Sequence, residues 1–88
     1  MLRRMEGDDW LRAAFGGLLK KLREERGLSQ AQLALESELD QTFVSLLERG
    51  RRQPTLGTLF AICDALRVEP AAVVGALTDT RKSRKRRA

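Results

Sequence analysis

Four residues with side chains of different chemistry lie close together in the middle of the chain. They are an amide, two hydroxyls and an apolar side chain, at Gln41, Thr42, Ser45 and Leu46. Gln can form two hydrogen bonds with adenine, Ser or Thr can contact several bases, and an apolar side chain can contact the thymine methyl group. A helix fits the major groove of B-DNA, so these residue types predict a base-reading surface.

Residues suited to phosphate binding flank this surface on both sides. Arg49, Arg51 and Arg52 follow it, and arginines in such a position contact phosphates and fix the register on the duplex. Ser29 and Gln30 begin the preceding predicted helix, whose first backbone N–H groups can bind another phosphate. Ser45 has a simpler interpretation, a hydrogen bond within its own helix, but its neighbours favour the groove.

The composition argues against catalysis and metal binding. The chain has one cysteine, Cys63, and no histidine, which excludes disulfide frameworks and zinc sites built from Cys and His. Histidine-based acid–base catalysis is excluded as well, and we find neither a suitable carboxylate pair nor a glycine-rich phosphate loop. We therefore expect no enzymatic activity, no metal and no cofactor.

The pattern that must position these residues is helical throughout. Gly27, Gly50 and Pro70 mark helix boundaries, and Ser29 with Gln32 has the spacing of a capping box. We predict five short helices, at about residues 10–26, 30–37, 41–49, 56–67 and 70–77. The residues predicted to face inward in the second to fourth helices are Ala31, Leu33, Ala34, Leu35, Val44, Leu47, Leu56, Leu59, Phe60, Ile62, Cys63 and Leu66.

The second and third predicted helices are too short to be stable alone, because helices below about 12 residues are marginal in water. They must pack on each other and on the first and fourth helices, which is a helix-turn-helix arrangement. This arrangement leaves one side of the third helix uncovered, and that side carries Gln41, Thr42, Ser45 and Leu46.

At this level the chain resembles the phage-repressor helix-turn-helix family (Cro/cI-like, XRE type). The resemblance spans roughly residues 15 to 77 and is strongest in GLSQAQLA, VSLLERGRRQPTLGTL and ALRV. It implies a five-helix lambda-repressor-like fold, a phosphate contact by Gln30, and an ion pair between Arg23 and Glu48 inside the domain. Glu38 is a departure, because the family usually has Gly in the turn between the two motif helices.

SELDQTFVSLLERGRRQPTL is also similar to controller proteins of restriction-modification systems. That similarity implies a small homodimer that binds its own promoter on double-stranded DNA, with RNA polymerase or another protein as a further partner. Gln41 stands where those proteins usually have a basic residue. We expect the dimer contact at residues 70–77 and nearby apolar side chains, and a palindromic operator to match the two-fold axis.

The positive charge is concentrated at the end of the chain. The chain has a net charge of +5. Residues 81–88 contain six basic residues and no acidic one, whereas residues 1–80 contain 11 basic and 12 acidic residues. We divide the chain into an N-terminal arm (1–9), the helix-turn-helix domain (10–77) and a basic, flexible tail (78–88). The sequence contains neither a signal peptide nor a membrane-length apolar run, so we expect a cytoplasmic, nucleoid-associated protein.

Two other functions fit the same fold. The chain could be an antitoxin-like protein-interaction module, because a fold does not determine function. It could also bind nucleic acid non-specifically through its basic tail. Trp10 fits a core or dimer contact better than a base-stacking platform, since aromatic residues are scarce.

Overall fold

The computed structural model describes residues 8–87, with side chains through residue 86. This part of the chain forms five α-helices and no strand: α1 (Asp9–Glu25), α2 (Gln30–Ser37), α3 (Gln41–Glu48), α4 (Leu56–Leu66) and α5 (Pro70–Arg87). The predicted all-α, five-helix architecture is confirmed. The arm predicted at 1–9 falls mostly on residues outside the described part, and Asp9 already belongs to α1.

Most helix ends follow the local signals in the sequence. The Ser29 hydroxyl oxygen accepts the Gln32 N–H at 3.0 Å, and the Gln32 side chain accepts the Ser29 N–H at 2.7 Å, which completes the capping box. Thr55 caps α4 by accepting the Thr58 N–H at 3.1 Å. Asp40 occupies the N-cap position of α3 but makes no side-chain capping bond.

In the turn between α2 and α3, a residue other than glycine adopts the left-handed backbone conformation. Glu38 ends α2 with φ 59° and ψ 42°, in the left-handed region where a Cβ atom is unfavourable. Its backbone N–H donates to the Leu35 carbonyl oxygen at 3.3 Å, and the Leu39 N–H donates to Ala34 at 2.8 Å. These bonds close the end of α2 and direct the chain into α3 three residues later.

We expect Glu38→Gly to stabilise the protein by about 1 kcal/mol, because glycine adopts a positive φ without the penalty that a side chain incurs. The matched control is Glu36→Gly, the same change inside α2, which should destabilise by about 1 kcal/mol through the low helix propensity of glycine. Chemical denaturation of both variants measures the two effects. A destabilised Glu38→Gly variant would show that the turn is not strained.

The core lies where α1, α2, α3 and α4 meet, and α5 closes it on the side of α1 and α4. Its most deeply buried side chains are Leu19, Leu33, Val44, Leu47, Ile62, Cys63 and Leu66. Four inward predictions are wrong, because Ala31, Leu35, Leu56 and Phe60 are exposed. Each of these helices buries only one stripe, so apolar residues outside that stripe remain at the surface.

The predicted end of the last helix at residue 77 is wrong, since α5 continues to Arg87. Residues 78–87, expected to form a flexible tail, are therefore helical. Arg and Lys are good helix formers, and Arg84 packs on Trp10 of α1, which gives the end of α5 a tertiary contact. The Thr78 and Thr80 hydroxyls donate to the Val74 and Ala76 carbonyl oxygens at 2.9 and 3.1 Å.

The close packing of α1 against the end of α3 depends on Gly16. A Cβ atom at this position would lie 2.5 Å from the Leu47 carbonyl oxygen and 2.6 Å from that of Glu48. The missing side chain thus lets α1 approach the backbone of α3 directly and sets the orientation of α3.

None of the helices in residues 8–87 is both long enough and apolar enough to cross a bilayer.

Candidate nucleic-acid interface

The core holds α3 by one side and leaves its other side at the surface. Val44 and Leu47 are completely buried, which fixes the rotation of the helix about its axis. Gln41 and Thr42 are exposed, and Ser45 and Leu46 are half-buried. The surface predicted for base reading is therefore accessible, and Ser45 and Leu46 form its less exposed edge.

Five predicted contact residues line one polar depression on the surface. The depression runs from the start of α2 across the outer side of α3, and its lining is Gln30, Gln41, Thr42, Ser45 and Arg49. Arg49 follows the last residue of α3, and its Nε donates to the Ser45 carbonyl oxygen at 3.4 Å. The fold thus brings one predicted phosphate residue from α2 and one from the end of α3 beside the predicted base-reading residues.

Arg51 and Arg52 lie apart from this depression. They are exposed and line a second polar depression together with Asp9, Arg12 and Gln53, at the start of α1. Arg12 forms an ion pair with Asp9 there. The second depression therefore adds Arg12, a cation that reading the sequence alone did not associate with this region.

Ser29, one of the residues predicted to contact phosphate, is also the N-cap residue of α2. Its hydroxyl oxygen accepts the Gln32 N–H, while the hydroxyl proton remains available for donation. The capping box also occupies the backbone N–H groups of Ser29 and Gln32. The helix-start N–H groups that remain for an anion are those of Gln30 and Ala31.

An ion pair joins α1 to the end of α3, between the two residues that the family resemblance pairs. Arg23 Nε donates to Glu48 Oε2 at 2.6 Å, and Arg23 Nη2 donates to Oε1 at 3.0 Å. The side chains are only 10% and 3% exposed. Arg23 Nη1 also donates to the Leu28 carbonyl oxygen at 2.8 Å, so the guanidinium ties the chain before α2 into the same network.

Gln30 belongs to this network as well. Its Nε2 donates to Glu48 Oε1 at 3.0 Å, which links the start of α2 to the end of α3. An amide nitrogen carries two protons, so this bond leaves one N–H of Gln30 for a phosphate. The link was missed from the sequence because residues 30 and 48 are 18 positions apart and only the turn brings them together.

The electrostatics of the network favour a charged pair. Burial opposes the charged form of Glu48 and is the largest single influence, but the hydrogen bonds from Arg23 and Gln30 and the charge of Arg23 together lower the pKa of the carboxyl. The hydrogen bond with Glu48 is also the main cause that raises the pKa of Arg23. Glu48 therefore stays ionised at neutral pH although its side chain is almost completely buried at the end of α3.

Cys63 lies in the core of α4 and is 1% exposed. Burial raises the pKa of its thiol, with the nearby charges of Asp64 and Glu69 acting in the same direction. A thiol of this kind is a small apolar side chain and not a reactive group. Within the part of the chain that the structure describes, no group of His, Cys, Asp and Glu side chains is arranged to hold a metal ion.

Comparison with known proteins gives consistent matches. The sequence profile of the helix-turn-helix family HTH_3 matches residues 19–73. The immunity repressor protein of Bacillus phage phi105 is 40% identical over 60 residues, which are 68% of this chain and 42% of the repressor. The chain thus spans less than half the length of that relative.

Two solved structures are similar in both fold and sequence. The restriction-modification controller protein C.AhdI from Aeromonas hydrophila has a TM-score of 0.69 and 39% identity, covering 70% of this chain and 94% of that protein. A variant of the controller protein C.Esp1396I, solved bound to its highest affinity operator site, has a TM-score of 0.71 and 35% identity. That match covers 78% of this chain and 91% of the controller.

Proposed function

The chain belongs to the helix-turn-helix family HTH_3, and it is similar to a phage immunity repressor and to restriction-modification controller proteins. We propose that it binds an operator sequence in double-stranded DNA. α3 is the recognition helix and enters the major groove. Gln41, Thr42, Ser45 and Leu46 contact base edges and determine which operator is bound. The activity is regulatory and not enzymatic, and it requires no cofactor.

The observation that carries the proposal is the polar depression that Gln30 and Arg49 share with the outer side of α3. Base-reading residues need phosphate contacts at both ends to fix the position of the helix in the groove. Gln30 supplies one through its remaining amide proton and Arg49 supplies the other. Ser29 and the first N–H groups of α2 add to the contact at the start of that helix.

Arg51 and Arg52 contact the phosphate backbone beyond the end of α3. Their separate position at the start of α1 supports a contact to the backbone rather than to base edges. The Arg23–Glu48 pair has a structural role, since it lies inside the domain and holds the end of the recognition helix against α1.

We expect the functional unit to be a homodimer. Leu56 and Phe60 of α4 are 75% and 54% exposed, and Val74 of α5 is 49% exposed. Exposed apolar side chains of this size are typical of protein contacts, and a second copy of the chain would cover them. Two recognition helices related by a two-fold axis read half-sites about 34 Å apart, so the operator is a palindrome.

The place of action follows from this function. A protein that binds an operator works in the cytoplasm, at the nucleoid. If the protein activates its promoter, we expect it to contact RNA polymerase.

Selection of the purified protein on randomised duplex DNA, followed by sequencing, tests the proposal. Enrichment of a palindrome with fixed spacing would support a dimeric operator-binding regulator, and the spacing would give the dimer geometry. If no sequence were enriched and binding depended only on salt, the proposal would be wrong. The antitoxin-like and the non-specific alternatives would then be favoured.

We expect Gln41→Ala to weaken binding to the enriched operator by about 1–3 kcal/mol and to relax the preference at one base pair. Arg51→Ala is the matched control, since loss of a phosphate contact weakens binding almost equally for all sequences and reduces the salt dependence. Binding of each variant to single-base operator variants separates the two effects. Unchanged base preference in Gln41→Ala would remove Gln41 from the base-reading set.

A further inference from the structure

The C-terminal half of α5 is a strongly basic helix that the proposed operator contact does not use. We refer to residues 78–87 as the basic extension. It carries Arg81, Lys82, Arg84, Lys85, Arg86 and Arg87, and the last acidic residue before them is Asp79. Residues 81–86 are exposed, and none of the ion pairs formed among the described side chains includes one of these cations.

The basic extension is attached to α1 at one defined point. The guanidinium carbon of Arg84 lies 5.3 Å from the centre of the Trp10 ring, a cation–π contact. Arg84 follows Leu77 by seven residues, which is two helical turns, so it lies on the side of α5 that also packs on the domain. Arg81 and Trp10 border one groove with Leu11, Val74 and Leu77.

The same end of α1 borders the arginines proposed to bind phosphate. Asp9 and Arg12 line a depression with Arg51, Arg52 and Gln53. Gln53 also lines a neighbouring apolar depression with Leu11 and Leu77, and those two residues border the groove of Arg81. The surface is therefore continuous from the phosphate-binding arginines after α3, past the start of α1, to the basic extension.

We propose that the basic extension is a second DNA contact, which binds backbone phosphates of the duplex outside the base pairs that α3 reads. This inference rests on the proposed operator binding. A cation that neutralises a phosphate releases a condensed counterion, so the contact adds affinity without reading sequence. The contact with Trp10 orients the basic extension toward the part of the duplex that continues beyond Arg51 and Arg52. Because the extension is already helical and attached, binding does not incur the entropy loss of ordering a free tail.

The test uses the full-length protein and the duplex enriched by selection, prepared with flanks of 0, 5 and 10 random base pairs on each side. Binding constants are measured over a range of salt concentrations. We expect the wild-type protein to bind several-fold more tightly once flanks are present, with a steeper salt dependence. The double variant Lys85→Gln/Arg86→Gln should bind the flankless duplex as the wild type does, and should lose about 1.8 per chain from the salt slope on the flanked duplex.

The control for net charge is Lys21→Gln/Arg67→Gln, which also removes one lysine and one arginine from exposed positions but lies outside the basic extension. It should keep the gain in affinity that the flanks confer. A second variant, Thr78→Gly/Thr80→Gly, retains every charge but weakens the helix before the cations. It should lose most of that gain, and the emission of Trp10, the only tryptophan, should change as Arg84 leaves the ring.

Three results would overturn the inference, and they differ from failure of the proposed function. The first is equal affinity of the wild-type protein for flanked and flankless duplexes. The second is a full flank effect in Thr78→Gly/Thr80→Gly, which would assign the contact to a solvated tail. The third is binding of the basic extension to phosphatidylserine vesicles with no flank effect on DNA. If no duplex is enriched at all, the proposed function fails and this inference fails with it.

Discussion

Glu48→Gln is expected to destabilise the protein by about 3–5 kcal/mol, because it leaves the buried guanidinium of Arg23 without an anionic partner. The carboxylate accepts two hydrogen bonds from Arg23 and one from Gln30, and its side chain is 3% exposed. An uncharged amide cannot accept all three bonds. A loss of this size is a large fraction of the stability of a small domain.

The same variant makes the contribution of the ion pair visible as a pH dependence. The pKa of Glu48 is lower in the folded state than in the unfolded chain, so the stabilisation by its carboxylate is fully present above the pKa of the unfolded chain. It is lost as the pH falls through the folded pKa. The difference in unfolding free energy between wild type and Glu48→Gln should therefore be constant between about pH 5 and 7 and shrink below about pH 4.

Glu25→Gln is the control for this experiment. Glu25 is exposed in the last turn of α1, and its neutralisation should change the stability by no more than about 0.5 kcal/mol. Urea unfolding followed by circular dichroism across the pH range measures both variants. A wild-type advantage over Glu48→Gln that persisted unchanged at pH 2 would mean that the ionised carboxylate does not stabilise the fold.

The second large effect is expected at Gly16. In Gly16→Ala the new methyl group would lie 2.5 Å from the Leu47 carbonyl oxygen and 2.6 Å from that of Glu48, so α1 and α3 must move apart. Both obstructing atoms belong to the backbone and cannot rotate away. We expect a destabilisation of at least about 1–3 kcal/mol, the usual range for an overpacked contact, although alanine is the better helix former.

Gly17 provides the control at the next position of the same helix. A Cβ atom there has no atom within 4 Å, so Gly17→Ala should stabilise the protein by about 1 kcal/mol through helix propensity alone. The two adjacent substitutions should therefore have opposite signs in thermal or chemical unfolding. Equal effects would show that α1 does not approach α3 as closely as the structure has it.

These two contacts connect stability with the proposed function. Gly16 and the Arg23–Glu48 pair both hold the end of α3 against α1, which determines where α3 projects from the domain. Displacement of that end would also move Arg49 relative to Gln30 across the polar depression. Both variants are thus expected to reduce operator binding even under conditions in which they remain folded.

Several features of this protein could be predicted from local patterns in the sequence. The capping box at Ser29, the positive-φ glycines Gly27 and Gly50, and Pro70 at the start of a helix are each set by the chemistry of a few neighbouring residues. They gave the number of helices and most of their ends. The outer face of α3 followed from the spacing of Val44 and Leu47, since two buried positions determine the rotation of a short helix.

Contacts between distant residues were decided only by the tertiary structure. Three features have no local signal, because each depends on which helices become neighbours. They are the hydrogen bond from Gln30 to Glu48, the exposure of Leu56 and Phe60, and the extension of α5 to Arg87 with Arg84 packed on Trp10. Helix propensity alone allowed a helix at residues 78–87 but could not distinguish it from a solvated basic tail. The amino-acid sequence by itself determined the number of helices, most of their ends and the chemistry that α3 presents. The packing against α1 decided where that chemistry lies and how far α5 extends, because both depend on contacts between residues that are distant in the sequence.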